Sequence, residues 1–175
     1  MDRADTLKPT PRTAATSRRR GPKAMALALG VFVVAASGPA LAAEAFYLGT
    51  WTFVSAQRAP WADPKHPLDE AEPARLHGRS VVIGPRTLSG PPPYMCRAPH
   101  YVVHDYAADM LFEGAFGEMH DRDKSADPAK IAASLGFRAP TTKTLESGCD
   151  FDIHFVDATT AKVGLNDYVY TLKRR

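Results

Sequence analysis

The stretch FDIHFVDATTAKVGLNDYVYTLK, residues 151–173, decides the fold. Phe151, Ile153 and Phe155 alternate with Asp152 and His154. A period of two places apolar side chains on one face of a strand and polar ones on the other. Asp157-Ala-Thr-Thr160 is rich in turn formers and leads into a second run, Ala161 to Leu165. Asn166-Asp167 reverses the chain again into Tyr168 to Lys173, where Tyr168, Tyr170 and Leu172 share a face. Three short strands joined by tight turns make an antiparallel meander.

The same reading extends upstream. Phe46 to Ala56 (FYLGTWTFVSA) is a first strand, Arg79 to Gly84 a second, and Thr87 to Ser89 a short third. Pro60 to Pro73 holds four prolines and is a loop, because proline cannot donate to a ladder. Gly90-Pro-Pro-Pro93 forces an extended crossing toward Cys96. Tyr101 to Tyr106 and Leu111 to Phe116 read as an antiparallel pair, with a polar loop from Gly117 to Asp127 after them. One short helix is expected near 128–135, with Asp127 as its cap, Pro128 in its first turn and Gly136 at its end. Seven to nine short strands with one helix predict an all-β fold, an antiparallel β-barrel or barrel-like sheet.

Ahead of this domain, residues 18–42 have the order of a secretory signal peptide. Arg18, Arg19, Arg20 and Lys23 precede an apolar run from Ala24 to Ala36, and Ala40 and Ala42 supply the small side chains that signal peptidase accepts. The run is too short to cross a bilayer, which takes roughly 20 residues. Cleavage is expected after Ala42, leaving 43–175 as a single β-barrel-like domain, periplasmic or secreted and without a stable membrane anchor. The first 42 residues hold seven of the 22 Lys/Arg and two of the 19 Asp/Glu. Residues 43–175 carry the other 15 basic and 17 acidic groups, so the basic balance belongs to the leader and support for nucleic-acid binding disappears. In an oxidising compartment the two cysteines, Cys96 and Cys149, are expected to form a disulfide. Closing a loop of that length stabilises the fold by about 4 kcal/mol in the chain-entropy account.

At Gly49-Thr50-Trp51 the chain resembles the lipocalins and the wider calycin group, in which a G-x-W element opens the first strand. The resemblance implies a barrel with Trp51 closing one end and a small apolar ligand in the mouth. Lipocalins place their helix after the last barrel strand, whereas here it precedes the final three. Small exported bacterial barrels that inhibit proteases or lysozyme are similar at the same level, and that likeness implies a protein partner.

The six histidines suggest no metal site. His100 and His104 on a strand stand about 13 Å apart at Cα. His120 lies in the polar loop without a recognised ligand spacing, and His154 with Asp152 falls on the wet face of its strand. There is no G-x-S-x-G elbow and no phosphate loop. The expected function is therefore binding, with no cofactor: a small apolar ligand held near Trp51 and Trp61. Trp61 stands out because a large ring sits in the proline-rich loop, where little core exists. The alternatives are a periplasmic protein-interaction or inhibitor domain that uses the 60–73 and 117–127 loops, and an enzyme with no recognisable motif.

Overall fold

Eight strands in a computed structural model form one antiparallel sheet. They are β1 (Gly49–Arg58), β2 (Ser80–Ile83), β3 (Leu88–Ser89), β4 (Val102–Tyr106), β5 (Thr142–Glu146), β6 (Asp152–Phe155), β7 (Thr160–Leu165) and β8 (Tyr168–Arg174). The structure describes residues 45–175; the signal peptide, its cleavage after Ala42 and the anchor question lie outside them. The spatial order is β3-β2-β1-β8-β7-β6-β5-β4. Trp51, Val81 and Ile83 from one end of that order share a buried cluster with Leu145, Ile153 and Phe155 from the other. The sheet therefore curls around this cluster as a half-barrel. A register shift in β1 between Phe53 and Ser55 exposes Val54 and helps bend the strand, as a bulge does.

The meander behaves as its alternation implies. Tyr168, Tyr170 and Leu172 enter the enclosed cluster, and Val169 between them faces a second one. Asn166 turns β7 into β8 in a left-handed conformation, φ 47°, which asparagine tolerates. The two edges of the sheet are not laddered together. They are joined by Cys96–Cys149, whose Cα atoms lie 6.4 Å apart, and by Tyr101 Oη donating to the Thr87 carbonyl at 2.8 Å. The disulfide ties the segment after β3 to the turn between β5 and β6. Its Cα separation falls within the range that disulfides span.

Among the described residues three α-helices accompany the sheet where one was expected: α1 (Glu72–Leu76), α2 (Ala115–Arg122) and α3 (Pro128–Ser134). The expected helix is α3, and Asp127 Oδ1 caps it by accepting from the Ala129 and Lys130 amides. The strand expected over Leu111 to Phe116 does not form. A strand would send Leu111 and Phe112 to opposite faces, so the two could not enter one cluster together. Instead Phe112, Glu113 and Gly114 take φ values of 53°, 59° and 83°, and α2 begins directly after them. Leu111, Phe112 and Phe116 are thereby all buried. One more buried phenylalanine is worth roughly 2–3 kcal/mol, comparable to the left-handed strain of about 1–3 kcal/mol at each of Phe112 and Glu113.

The same rearrangement makes residues 117–122 of the expected 117–127 loop helical and covers the sheet face expected to be wet. His154 is 1% exposed, a correction to its reading as a surface residue. The alternation along β6 holds, but its outer face lies beneath the 111–116 segment. β5 gives no apolar signal because two of its buried positions are Thr142 and Thr144.

Candidate functional site

Strands β6 and β7 are paired at only two positions, His154↔Lys162 and Phe155↔Ala161. Continuing that register would set Asp152 against Gly164, but the ladder stops before that pair forms. The Gly164 carbonyl accepts from Tyr94 Oη at 3.1 Å. On Gly164 lean the rings of Trp61 and Phe112, close enough that a Cβ there would meet each at 3.3 Å. Only glycine lets two aromatic rings approach a strand this closely. Trp61 is fixed by Nε1–H donating to the Asn166 carbonyl at 2.9 Å and by Phe112, 5.1 Å away between ring centroids. Beside these rings a cleft of about 280 Å³ remains, rimmed by Glu113, Asp150 and Asp152.

The cleft wall is held from beneath by His154. Its Nε2 accepts from the Phe112 amide at 3.1 Å, which leaves Nδ1 to carry the proton toward Thr144 Oγ1 at 2.8 Å. Burial drives the pKa of this imidazole down to about 3, so it is neutral through the physiological range. The three non-glycine residues with positive φ among the described residues, Phe112, Glu113 and Asn166, all line this cleft. Strained backbone of this kind persists where surrounding contacts over-determine it; here His154 and the aromatic stack do so.

Carboxylates dominate the rim. Asp152 faces Glu146 across the β5–β6 ladder. Burial, then Glu146 and Glu113, raise its pKa to about 6, with His104 partly opposing them. Glu146 accepts a short hydrogen bond from Tyr106 Oη and lies 3.5 Å from His104 Nε2. That hydrogen bond is the main cause pushing the Tyr106 hydroxyl up to about 12. His104 and Tyr106 stack in near-parallel planes, 5.3 Å between centroids.

Of the two tryptophans read from the sequence, one reaches the cleft. Trp61 forms its wall, whereas Trp51 is 1% exposed inside the half-barrel. Trp51 Nε1–H donates to the Tyr47 carbonyl at 3.0 Å, Phe155 packs at 5.3 Å, and the Arg174 guanidinium covers the ring at 5.2 Å. A second cleft of about 440 Å³ lies between α1 and β1, with Phe53, Ala56, Pro73 and Ala74 in its walls. A third, about 320 Å³, runs between Pro60–Pro64 and Met119–Ala126, so the two segments expected to contact a partner lie side by side. The sequence reading missed Phe112, Glu113, Asp150 and Gly164. Only Gly164, a glycine inside a strand run, carried a signal of close approach.

Among the described residues no three His, Cys, Asp or Glu side chains are grouped to hold a metal ion. Nor is any described helix long and apolar enough to cross a membrane. Comparison with protein-family models, with curated proteins and with solved structures finds no match for the chain.

Proposed function

We propose that the chain is an exported, non-catalytic binding domain, lipocalin-like in use, that holds a small and largely apolar molecule in the cleft beside Trp61. The observation that carries this is the pair of aromatic rings, Trp61 and Phe112, seated on Gly164 where the β6–β7 ladder stops. The cleft's size approaches the lower end of small-ligand sites, roughly 300 Å³, and its walls combine apolar rings with a few convergent polar groups. No Ser, Thr, Cys or Lys lines it, and both nitrogens of His154 are engaged, which favours binding over nucleophilic chemistry. Export to the periplasm or beyond is supported by the leader at residues 18–42 and by the pairing of Cys96 with Cys149. Trp51, enclosed in the core, shapes the interior and does not touch the ligand in this reading.

The test is titration of the mature domain with the neutral apolar fluorophore N-phenyl-1-naphthylamine. Trp61→Ala is expected to abolish binding, and Ala74→Phe, which fills the cleft under α1, to leave it unchanged. The reverse pattern would move the site to that second cleft. A protein-interaction or inhibitor domain is the second reading, favoured by the groove between Pro60–Pro64 and Met119–Ala126. Under it the fluorophore fails to bind the wild-type domain.

A further inference from the structure

We infer that the cleft beside Trp61 selects ligands bearing a positive charge on an apolar body, an organic ammonium being the fitting class. This rests on that cleft being the binding site and adds the chemistry of what enters it.

The hydrogen-bonding inventory is one-sided. Three side chains in the lining can donate, and each already does so elsewhere. Trp61 Nε1–H serves the Asn166 carbonyl, His154 Nδ1–H serves Thr144, and Asn166 Nδ2 gives one of its two hydrogens to Glu72 at 2.9 Å. The remaining charged lining consists of acceptors: Glu113, Asp150 and Asp152. No Lys or Arg lines the cleft, and none of these three carboxylates forms an ion pair among the described residues. The other acidic side chain facing Asp152, Glu146, already takes the Tyr106 hydroxyl and has His104 beside it.

An anionic ligand would therefore meet three carboxylates with no cation between them. A neutral hydroxyl could donate to one, yet would leave the crowding of like charges in place. An ammonium supplies donors to the carboxylates while its charge lies near the Trp61 and Phe112 rings, whose π-faces attract cations. The crowding is geometric: Asp152 stands opposite Glu146 across the β5–β6 ladder and shares the cleft lining with Glu113, and a bound cation relieves it. The rings account for the apolar body and the rim accounts for the charge.

Calorimetric titration with three probes of one shape tests this: 2-phenylethylammonium, 2-phenylethanol and 3-phenylpropionate. The ammonium is expected to bind at least about tenfold more tightly than the alcohol, and the propionate not measurably. Asp152→Asn is expected to bring the ammonium to within about threefold of the alcohol, read as the ratio of the two Kd values within the same variant. Glu113→Gln, on a different segment, provides the same test if the first variant unfolds. Equal binding of ammonium and alcohol, both lost in Trp61→Ala, would overturn the charge preference and leave the site standing. Absence of binding by all three probes would overturn the site as well. Displacement of the ammonium by millimolar calcium chloride, at matched ionic strength, would mark a metal site and also overturn the inference.

Discussion

Acid is expected to destabilise this domain through His154 before Asp63, Asp121, Asp123 and Asp157 titrate. In the folded state the imidazole is neutral, with a pKa of about 3 against an ordinary 6.5. The unfolded chain therefore binds a proton that the folded chain refuses wherever the pH lies between those values. Stability falls as the pH drops through that window, with a slope approaching about 1.4 kcal/mol per pH unit and a ceiling of about 5 kcal/mol in total. Asp152 works in the opposite sense. Its folded pKa of about 6 stands above the usual 3.8, so from 3.8 to 6 the folded state keeps a proton that the unfolded state has lost. Its contribution makes stability fall as pH rises. Because the carboxyl is only half-buried, its effect is discounted to about 1–2 kcal/mol.

Between pH 4.5 and 6 both groups act, while Asp63, Asp121, Asp123 and Asp157 are held below the usual range and titrate lower. Urea unfolding at fixed ionic strength, with the disulfide intact, is the assay. In that window the slope of stability against pH is expected to rank Asp152→Asn above wild type and wild type above His154→Gln. Glutamine can accept from the Phe112 amide and donate to Thr144, so His154→Gln removes the titration while offering both hydrogen bonds. At pH 7 Asp152→Asn is expected to be about 1–2 kcal/mol more stable than wild type. Equal slopes for wild type and His154→Gln would refute the argument, because the buried imidazole would then not be the group that resists protonation.

The scaffold gives two further outcomes. Reducing Cys96–Cys149 releases a loop with a sequence separation of 53. It is expected to cost about 4 kcal/mol and to lower the melting temperature on the order of 10 °C, read by thermal unfolding with and without reductant; unchanged melting would show that the bond adds nothing. Glu72 is buried and accepts from Tyr170 Oη and Asn166 Nδ2, both at 2.9 Å, joining α1 to the β7–β8 turn. Glu72→Ala leaves a buried hydroxyl unpaired and is expected to cost about 2–3 kcal/mol, and Glu72→Gln about 1 kcal/mol, by chemical denaturation. A loss under about 0.5 kcal/mol for the alanine variant would mean that water replaces the carboxylate.

The sheet was legible because its evidence is periodic. Phe151-Asp-Ile-His-Phe155 and Tyr168-Val-Tyr-Thr-Leu172 repeat every two residues, and the turns between strands carry Asp, Asn and Gly in the places turns require. Periodicity says which face a residue occupies, not what lies over that face. His154 falls on the expected side of β6 and is still misread, because the cover comes from residues 111–116, forty positions earlier. That cover is itself misread because Leu111-Phe112 achieves double burial through left-handed backbone, which favours Gly and Asn and is not signalled by Phe or Glu.

The cleft multiplies these difficulties. Its working residues come from four segments, around 61, 112–115, 150–154 and 164–166, and each has an ordinary structural reading alone. Trp61 is a loop aromatic, Asp152 a polar strand position, Gly164 a strand glycine. What makes them a site is the failure of β6 and β7 to stay paired beyond His154↔Lys162. A gap in a ladder has no sequence period, since it depends on what wedges the strands apart. Here the ring of Tyr94, fully buried and donating to the Gly164 carbonyl, occupies the interior side of the opening, while Trp61 and Phe112 occupy the outer side. Three aromatic side chains thus meet one glycine where the β6–β7 ladder stops, and in the proposed reading the carboxylates that flank this point set the charge of what can enter.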